Sequence, residues 1–162
     1  MYDKDLTTID ATNLRIELAV SSYHAEITDA LSIGAVRCFM DAGGQGTQIV
    51  RHVAPGSWEL IGLCAALADK QRPNPPDAII AIGCIITGET THDQYIAQGV
   101  TQGLTSIMVN SGIPIALGVL TCQTIEQAKE RAGGSVGNKG HDAMTAAIRL
   151  AHSIRALREP AT

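Results

Sequence analysis

The chain has 162 residues, of which 45% are hydrophobic and 17% charged, and its formal net charge is −4. This length and composition fit one domain with a real core. No stretch concentrates Lys and Arg, which argues against nucleic acid as a partner. No run approaches the roughly 20 apolar residues of a membrane span, and residues 1–13 are polar without a signal-peptide core. We therefore expect a cytoplasmic protein with no membrane partner.

Apolar residues recur in two alternating patterns, one typical of buried strands and one of amphipathic helices. The first half predicts, in chain order, a strand at 14–20, a helix from Thr28 or Asp29 to Gly43 and Gly44, a strand at 48–53, and a helix from about Ser57 to 67. The second half predicts a strand at 78–86, a helix at 96–108 that ends near Ser111 and Gly112, and a strand at 115–120. These are followed by a short helix at 124–131 capped by Thr124, a Gly-rich bend, and a last helix at 144–154.

The segment 78–86 is apolar throughout, which is typical of a parallel strand covered on both faces. The alternation of strands and helices predicts an α/β fold: a single-domain, flavodoxin-like three-layer sandwich with a four-stranded parallel sheet and helices on both faces. We expect this domain at 14–158, with an N-terminal arm at 1–13 and a C-terminal tail at 159–162. Ligands of such sheets bind beyond the carboxyl ends of the strands, so the four loops there are the candidates for a site.

Two of these loops carry rare aromatic side chains. Tyr23, after the first strand, either offers a face on which a flat heterocycle stacks or caps the sheet edge. Trp58, in the Pro-Gly turn after the second strand, either packs in the core or contacts a ligand. Glu59 either complements the dipole of the next helix or accepts hydrogen bonds from ligand hydroxyls. The residues alone leave these alternatives open.

The loop after the third strand reads Gly88-Glu89-Thr90-Thr91-His92. Hydroxyls and free backbone N–H groups at a helix start form an anion site. His92 is placed to exchange protons near neutral pH with a ligand bound there, although a lone His is more often structural. Beyond the fourth strand, Arg131 stands at a helix carboxyl end, where its charge is favourable without a ligand. Lys139 is equally well explained as a solvated cation in a loop.

Other chemistries have no support in the residues. There is no Gly-x-Gly-x-x-Gly, no Gly-Lys-Ser/Thr phosphate loop and no Gly-x-Ser-x-Gly elbow. The five histidines show no metal-ligand spacing. The four cysteines lie in apolar runs without a Cys-x-x-Cys pair, and we expect buried free thiols. What the residues support is a binding site for something flat, hydroxylated and anionic.

Six motifs stand in order along the chain: Ala-Pro-Gly-Ser-Trp-Glu at 54–59, Gly-Glu-Thr-Thr-His at 88–92, Gly-Val-Leu-Thr at 118–121, Ile-Glu-Gln-Ala at 125–128, Glu-Arg-Ala-Gly at 130–133 and Gly-Asn-Lys-Gly at 137–140. Together, from about Leu14 to Leu157, they resemble the lumazine synthase family of riboflavin biosynthesis. The resemblance implies condensation of 5-amino-6-(D-ribitylamino)uracil with L-3,4-dihydroxy-2-butanone 4-phosphate to 6,7-dimethyl-8-ribityllumazine, phosphate and water. It implies no metal or organic cofactor.

The resemblance also implies the roles of residues. His92 is the expected general acid and base, and Arg131, Thr90 and the backbone N–H of Glu89 are the expected phosphate ligands. The other expected substrate contacts are Tyr23, Ser57, Trp58, Glu59, Ile85, Ile86, Leu117, Lys139 and Asp142. Three departures from the family pattern are Ser-Ser-Tyr-His at 21–24, where Ser/Gly-Arg-Phe-Asn is common, Thr87 for Arg, and Leu117 for a Phe that closes the site from the neighbouring subunit.

The family's sites lie between adjacent subunits of a pentamer, so the resemblance implies a homo-oligomer. The short bend at 133–137 favours closure of such pentamers into a sixty-subunit icosahedral shell, with riboflavin synthase as a partner that a shell could enclose. Two alternatives stand beside the enzyme. One is a flavin- or lumazine-binding shell protein with little catalysis, and the other a generic flavodoxin-like nucleotide binder.

Overall fold

The computed structural model describes residues 9–158 and contains a four-stranded parallel sheet in the order β2-β1-β3-β4. The strands are β1 (Ile16–Ser21), β2 (Ile49–Ala54), β3 (Ala78–Ile86) and β4 (Ile115–Cys122). The α-helices are α1 (Ala25–Asp41), α2 (Leu60–Leu67), α3 (His92–Ser111), α4 (Ile125–Arg131) and α5 (Lys139–Arg158). The predicted α/β fold with four parallel strands is confirmed.

Two apolar clusters lie on opposite faces of the sheet, as the three-layer prediction requires. On one face, Leu18 and Ile82 pack with Leu31 of α1 and Met144 of α5. On the other face, Ile79 packs with residues of α2 and α3. Neighbouring residues of β3 therefore point to opposite faces and both are buried, which is why this strand is apolar without alternation.

Helix starts differ from those predicted. α1 begins at Ala25 rather than Thr28 or Asp29, because His24 adopts the left-handed conformation (φ 57°, ψ 50°) and turns the chain directly out of β1. Its first two residues are exposed, so the apolar periodicity starts later than the helix. α2 begins at Leu60 rather than about Ser57, since the preceding residues form a bend and a turn.

The helix ends and caps agree better with the predictions. α3 ends at Ser111, and Gly112 adopts the left-handed conformation that such a stop requires. Thr124 caps α4 by accepting a hydrogen bond from the backbone N–H of Gln127 at 3.3 Å. The predicted Gly-rich bend contains a short antiparallel pair, β5 (Ala132–Gly134) and β6 (Gly137–Asn138). α5 then starts at Lys139, before the apolar pattern that begins at Met144.

A buried carboxylate stands in the central strand β1. Glu17 is fully buried, and its carboxylate lies 3.0 Å from Nη1 of Arg72 and 3.2 Å from Nη2 of Arg15. Nε2 of His52 is 3.2 Å from the same carboxylate. Because a buried charge is costly without partners, the two guanidinium groups offset the cost of burying this carboxylate. The cluster ties the loop after α2, which carries Arg72, to the sheet.

Candidate functional site

The carboxyl ends of β1, β2 and β3 surround a pocket of about 810 Å³, which we call the first pocket. Eight of the predicted site residues line it: Tyr23, Ser57, Trp58, Glu59, Ile85, Ile86, Thr90 and His92. They come from three separate loops and the end of β3. The parallel topology brings these loops to one edge of the sheet, as the sequence predicts.

The loop after β1 presents an aromatic ring to this pocket. Tyr23 is 66% exposed, and its ring meets that of His24 edge-on with centroids 4.6 Å apart. Ser22 fastens the loop to the next one, because its Oγ donates to the carbonyl of Pro55 at 3.1 Å and its N–H donates to Ala54 at 2.8 Å. The exposure of Tyr23 does not fit a half-buried cap of the sheet and leaves one face of the ring free to stack.

The turn after β2 places one polar and one aromatic side chain against the same pocket. Ser57 is 7% exposed, and its Oγ has no hydrogen-bond partner within residues 9–158. Gly83 makes room for it, since a Cβ there would fall 2.7 Å from that oxygen. Trp58 is 52% exposed and lies against Gly99 of α3, so it is neither a core residue nor free of packing. Glu59 is exposed beside it.

The loop after β3 joins the sheet to the start of α3. The N–H of Thr87 donates to the carbonyl of Cys122 at 2.9 Å, and its Oγ1 donates to Oδ2 of Asp93 at 2.9 Å. Thr91 stands at the N-cap of α3 without a side-chain cap. Its carbonyl accepts from the N–H of Gln94 at 3.1 Å, so Thr91 leaves the N–H groups of His92 and Asp93 uncapped. Thr90 and His92 are exposed and face the pocket. Uncapped helix N–H groups beside an exposed imidazole suit an anionic ligand that exchanges protons.

The remaining predicted residues lie elsewhere. Leu117, Arg131, Lys139 and Asp142 line a separate pocket of about 410 Å³ between β4 and α5, which we call the second pocket. Glu89 lines neither pocket. One chain therefore does not gather all the predicted residues in one cavity. The physical reason is that the loops after β1, β2 and β3 form the first pocket. Leu117 instead lies within the edge strand β4, and the other three predicted residues of the second pocket follow β4 in α4 and α5.

Two cations dominate the second pocket. Arg131 ends α4 and donates from Nη1 to the carbonyl of Gln127 at 3.0 Å, which leaves its other guanidinium nitrogens available. Lys139 begins α5, and its Nζ lies 2.7 Å from Oδ2 of Asp142. Leu117 is 51% exposed on the edge strand. The pocket can accept an anion on one side and an apolar surface on the other.

Sequence reasoning missed several residues of the first pocket. His24, Cys84, Asp93, Tyr95 and Ile96 also line it. Tyr95 and Ile96 follow His92 by three and four residues, so helical spacing places them on the same face and was a usable signal. Asp93 gave a weaker signal, because an acid in a first helical turn is usually explained by the dipole alone.

The cysteines are buried and free, as predicted, at Cys38, Cys64, Cys84 and Cys122. Burial raises the pKa of the Cys84 thiol to about 11, with a smaller contribution from Cys122, so this thiol stays protonated at the pocket wall. In residues 9–158, no group of three or more His, Cys, Asp or Glu side chains is arranged to hold a metal ion. The described helices include none long and apolar enough to cross a membrane.

Comparisons with known proteins agree with the motifs. The sequence profile of the family described as 6,7-dimethyl-8-ribityllumazine synthase matches residues 13–155. The chain is 40% identical over 158 residues to the 6,7-dimethyl-8-ribityllumazine synthase of Streptomyces coelicolor, covering 96% of this chain and 94% of that protein. It is 42% identical over 139 residues to the protein of the same name from Porphyromonas gingivalis, covering 86% and 84%. A third such protein, from Pseudarthrobacter chlorophenolicus, is 42% identical over 154 residues, covering 92% and 91%.

Proposed function

The chain belongs to the 6,7-dimethyl-8-ribityllumazine synthase family, and from that premise we propose how its two pockets carry out the reaction. The enzyme condenses 5-amino-6-(D-ribitylamino)uracil with L-3,4-dihydroxy-2-butanone 4-phosphate. The products are 6,7-dimethyl-8-ribityllumazine, phosphate and water. The observation that carries the assignment of residues is the first pocket, where an exposed ring, a carboxylate, a helix start and an imidazole meet.

The pyrimidine binds in the first pocket. Tyr23 stacks on the ring, whose polar edge meets the backbone at Ile85 and Ile86. Glu59 accepts hydrogen bonds from the ribityl hydroxyls, with Ser57 and Trp58 flanking the chain of the sugar. The unpartnered Oγ of Ser57 supports this placement, because a buried hydroxyl without a partner is costly and a ligand group can satisfy it.

The phosphate of the butanone binds at the start of α3. Thr90 and the backbone N–H of Glu89 contact it, and Arg131 completes the clamp with a charge-assisted bond. Lys139 and Asp142 lie beside it as a second charged pair. The uncapped first turn of α3 supports the site.

His92 moves the protons of the condensation. The 5-amino group attacks the ketone and water leaves, which gives a Schiff base. Removal of a proton from the neighbouring carbon then expels phosphate and leaves an enol. The enol takes up a proton at its terminal carbon and loses its hydroxyl proton, which gives a methyl ketone. The ribitylamino nitrogen closes the ring on this carbonyl, with loss of a second water. Each step needs a group that takes and returns protons near neutral pH, and the exposed His92 imidazole at the pocket wall is placed to do so.

The complete site needs two chains. The second pocket of one copy faces the first pocket of its neighbour, so that Leu117 and Arg131 of one chain meet His92 of another. The separation of the two pockets in a single chain supports this arrangement. A pentamer closes such a ring of sites, and the short bend at 133–137 favours a sixty-subunit shell with riboflavin synthase as its candidate occupant. We place the domain at 14–158, between the flanking segments 1–13 and 159–162, and the protein in the cytoplasm.

The test is product formation from the two substrates, followed by lumazine absorbance and fluorescence, with the assembly checked by sedimentation. His92→Ala should lower kcat about 10²–10⁴-fold without changing the assembly. Gln98→Ala, on the exposed surface of the same helix, is the matched control. An assembled protein that binds riboflavin and makes no lumazine would instead support a flavin-binding shell protein.

The phosphate clamp has its own test. Arg131→Ala should raise KM for the butanone phosphate about 10–100-fold, because it removes hydrogen bonds from a charged donor. Lys129→Ala changes a cation of the same helix that pairs with Glu26 at 3.3 Å and lies outside both pockets. Unchanged kinetics of Arg131→Ala would show that this side chain does not bind phosphate.

A further inference from the structure

The bend between α4 and α5 separates the two cations of the second pocket. Arg131 is the last residue of α4 and Lys139 the first of α5, and both line that pocket. Between them the chain reverses through β5 and β6, with Gly133 and Gly137 at positive φ (120° and 87°). A bend with glycines at such angles is permissive by itself. Some other group must therefore fix the angle between the two helices.

Two side chains span this bend: Glu130 accepts hydrogen bonds from the N–H of Ser135 at 2.7 Å and from its Oγ, and Asn138 reaches further, to α1. Its Nδ2 donates to the carbonyl of Ala132 at 3.2 Å and to the carbonyl of Ala30 in α1 at 2.9 Å. Its Oδ1 accepts from the N–H groups of Gly140 at 2.9 Å and His141 at 3.2 Å. One carboxamide thus bonds the chain just after Arg131, the first turn of α5 and the neighbouring helix α1.

Two glycines leave room for this carboxamide. A Cβ at Gly34 of α1 would overlap the Asn138 side chain. A Cβ at Gly140 would overlap the backbone of Leu31, so α1 and α5 are in close backbone contact at this level. The Asn138 side chain therefore sits in a fitted space and cannot shift without losing its partners.

We propose that Asn138 is a positioning residue for the phosphate of the substrate. It holds the ends of α4 and α5 at the distance where Arg131 and Lys139 face one anion. This role rests on the proposed function of those two cations in binding phosphate. Asn138 itself lines neither pocket, so it acts through them and not by contact with the ligand.

The two halves of the carboxamide have separable tasks. Oδ1 caps α5, which Asp does as well as Asn. Nδ2 bridges the bend, which Asp cannot do, because a carboxylate has no donor and would face two carbonyl oxygens. Asn138→Asp therefore retains the cap and loses the bridge, whereas Asn138→Ala loses both. Asn110→Asp, on the surface of α3, is the matched control for the added charge.

The experiment measures KM for each substrate separately in the assembled protein, together with inhibition by inorganic phosphate. Asn138→Asp and Asn138→Ala should both raise KM for the butanone phosphate and the inhibition constant for phosphate about tenfold or more, since small misplacements of binding groups are costly. KM for the pyrimidine should stay within about twofold, because Tyr23 and Glu59 lie in the other pocket. Asn110→Asp should leave all three constants unchanged.

Gly34→Ala gives a second, steric readout. Its methyl group displaces the Asn138 carboxamide, so this variant should raise KM for the butanone phosphate although Ala ordinarily favours a helix. Adding Gly34→Ala to Asn138→Ala should give no further rise, because the space is then empty. Independent effects would multiply instead.

Three results would overturn the proposal. In the first, Asn138→Asp behaves like the parent, so that only the cap matters. In the second, the Asn138 variants raise KM for both substrates and lose assembly, which is the result expected of general destabilisation. In the third, Arg131→Ala leaves phosphate binding intact; the proposed phosphate clamp is then wrong, and the role of Asn138 fails with it. An effect of Arg131→Ala without any effect of the Asn138 variants rejects the positioning role alone.

Discussion

Mixing two impaired variants, assayed with the butanone phosphate below the parent KM, tests whether one active site takes residues from two chains. In a single chain His92 lines the first pocket and Arg131 lines the second. If the second pocket of one copy completes the first pocket of the next, then His92→Ala and Arg131→Ala damage the same site from different chains. A mixed oligomer should then contain some sites with neither substitution.

The size of the recovery follows from the ring. In a random one-to-one mixture, the chain that supplies the first pocket carries an intact His92 in about half of the sites. Its neighbour carries an intact Arg131 in about half of those, so about one quarter of all sites are complete. If His92 and Arg131 of the same chain served one site, every site would carry one substitution and no recovery would occur.

The assay dissociates both variants in denaturant, mixes them, reassembles them and measures the initial rate of lumazine formation. Each variant reassembled alone gives the background. A second mixture, of the unsubstituted chain with a chain carrying both substitutions, should retain about one quarter of the full rate for a two-chain site and about one half for a one-chain site. A rate near background in the first mixture, with about one half in the second, refutes the two-chain site.

Three further outcomes are expected. Thr87→Val removes the donor to Asp93 and should raise KM for the butanone phosphate about threefold to tenfold, whereas Thr87→Ser should match the parent; equal values for both variants would deny the bond a role. Arg72→Met leaves the Glu17 carboxylate with fewer cations and should lower the free energy of unfolding by about 1–3 kcal/mol, measured by urea denaturation. Burial raises the pKa of the Cys64 thiol from 9.0 to about 12, so its contribution to stability is complete below pH 9.0 and declines as pH rises toward 12. The urea midpoint of Cys64→Ala should therefore fall less steeply over that interval than the parent's.

The sheet could be predicted because buried parallel strands leave a simple signal, a run of apolar residues. β3 is apolar over nine residues, and both of its faces are covered by helices, so composition alone identified it. Helix starts were harder. α1 begins where His24 adopts a left-handed conformation, and such a conformation at a non-glycine residue leaves no periodic signal. The cap of α4 was readable because Thr at that position has one specific bond to make.

The buried carboxylate of Glu17 could not be predicted from its own strand. An acid between apolar neighbours ordinarily indicates a solvent-facing position, but both faces of this central strand are covered. Its partners Arg72 and His52 come from a loop and from β2, far along the chain. Only the three-dimensional arrangement shows that they meet.

Part of the candidate site could be predicted from the parallel topology. Parallel strands bring their carboxyl ends to one edge, so the loops carrying Tyr23, Trp58 and His92 had to meet. The position of the second pocket does not follow from the sheet topology. Arg131 ends α4 and Lys139 begins α5, and their distance from the first pocket depends on how these helices pack against the sheet, which no local pattern encodes.

The exposed aromatic residues support the proposal that one chain supplies only part of each site. The sequence holds three Tyr, one Trp and one Phe. Phe39 is fully buried, while Tyr23, Trp58 and Tyr95 are 66%, 52% and 69% exposed and all line the first pocket. Large rings exposed together mark a surface that another molecule covers, because leaving them in water costs free energy. In the proposed two-chain site, the pyrimidine would cover one face at most, and the exposed Leu117 of a neighbouring chain would be an apolar surface suited to cover the rest. Substrate and neighbouring chain would then bury the same aromatic surface together. We therefore expect substrate to strengthen the association between chains.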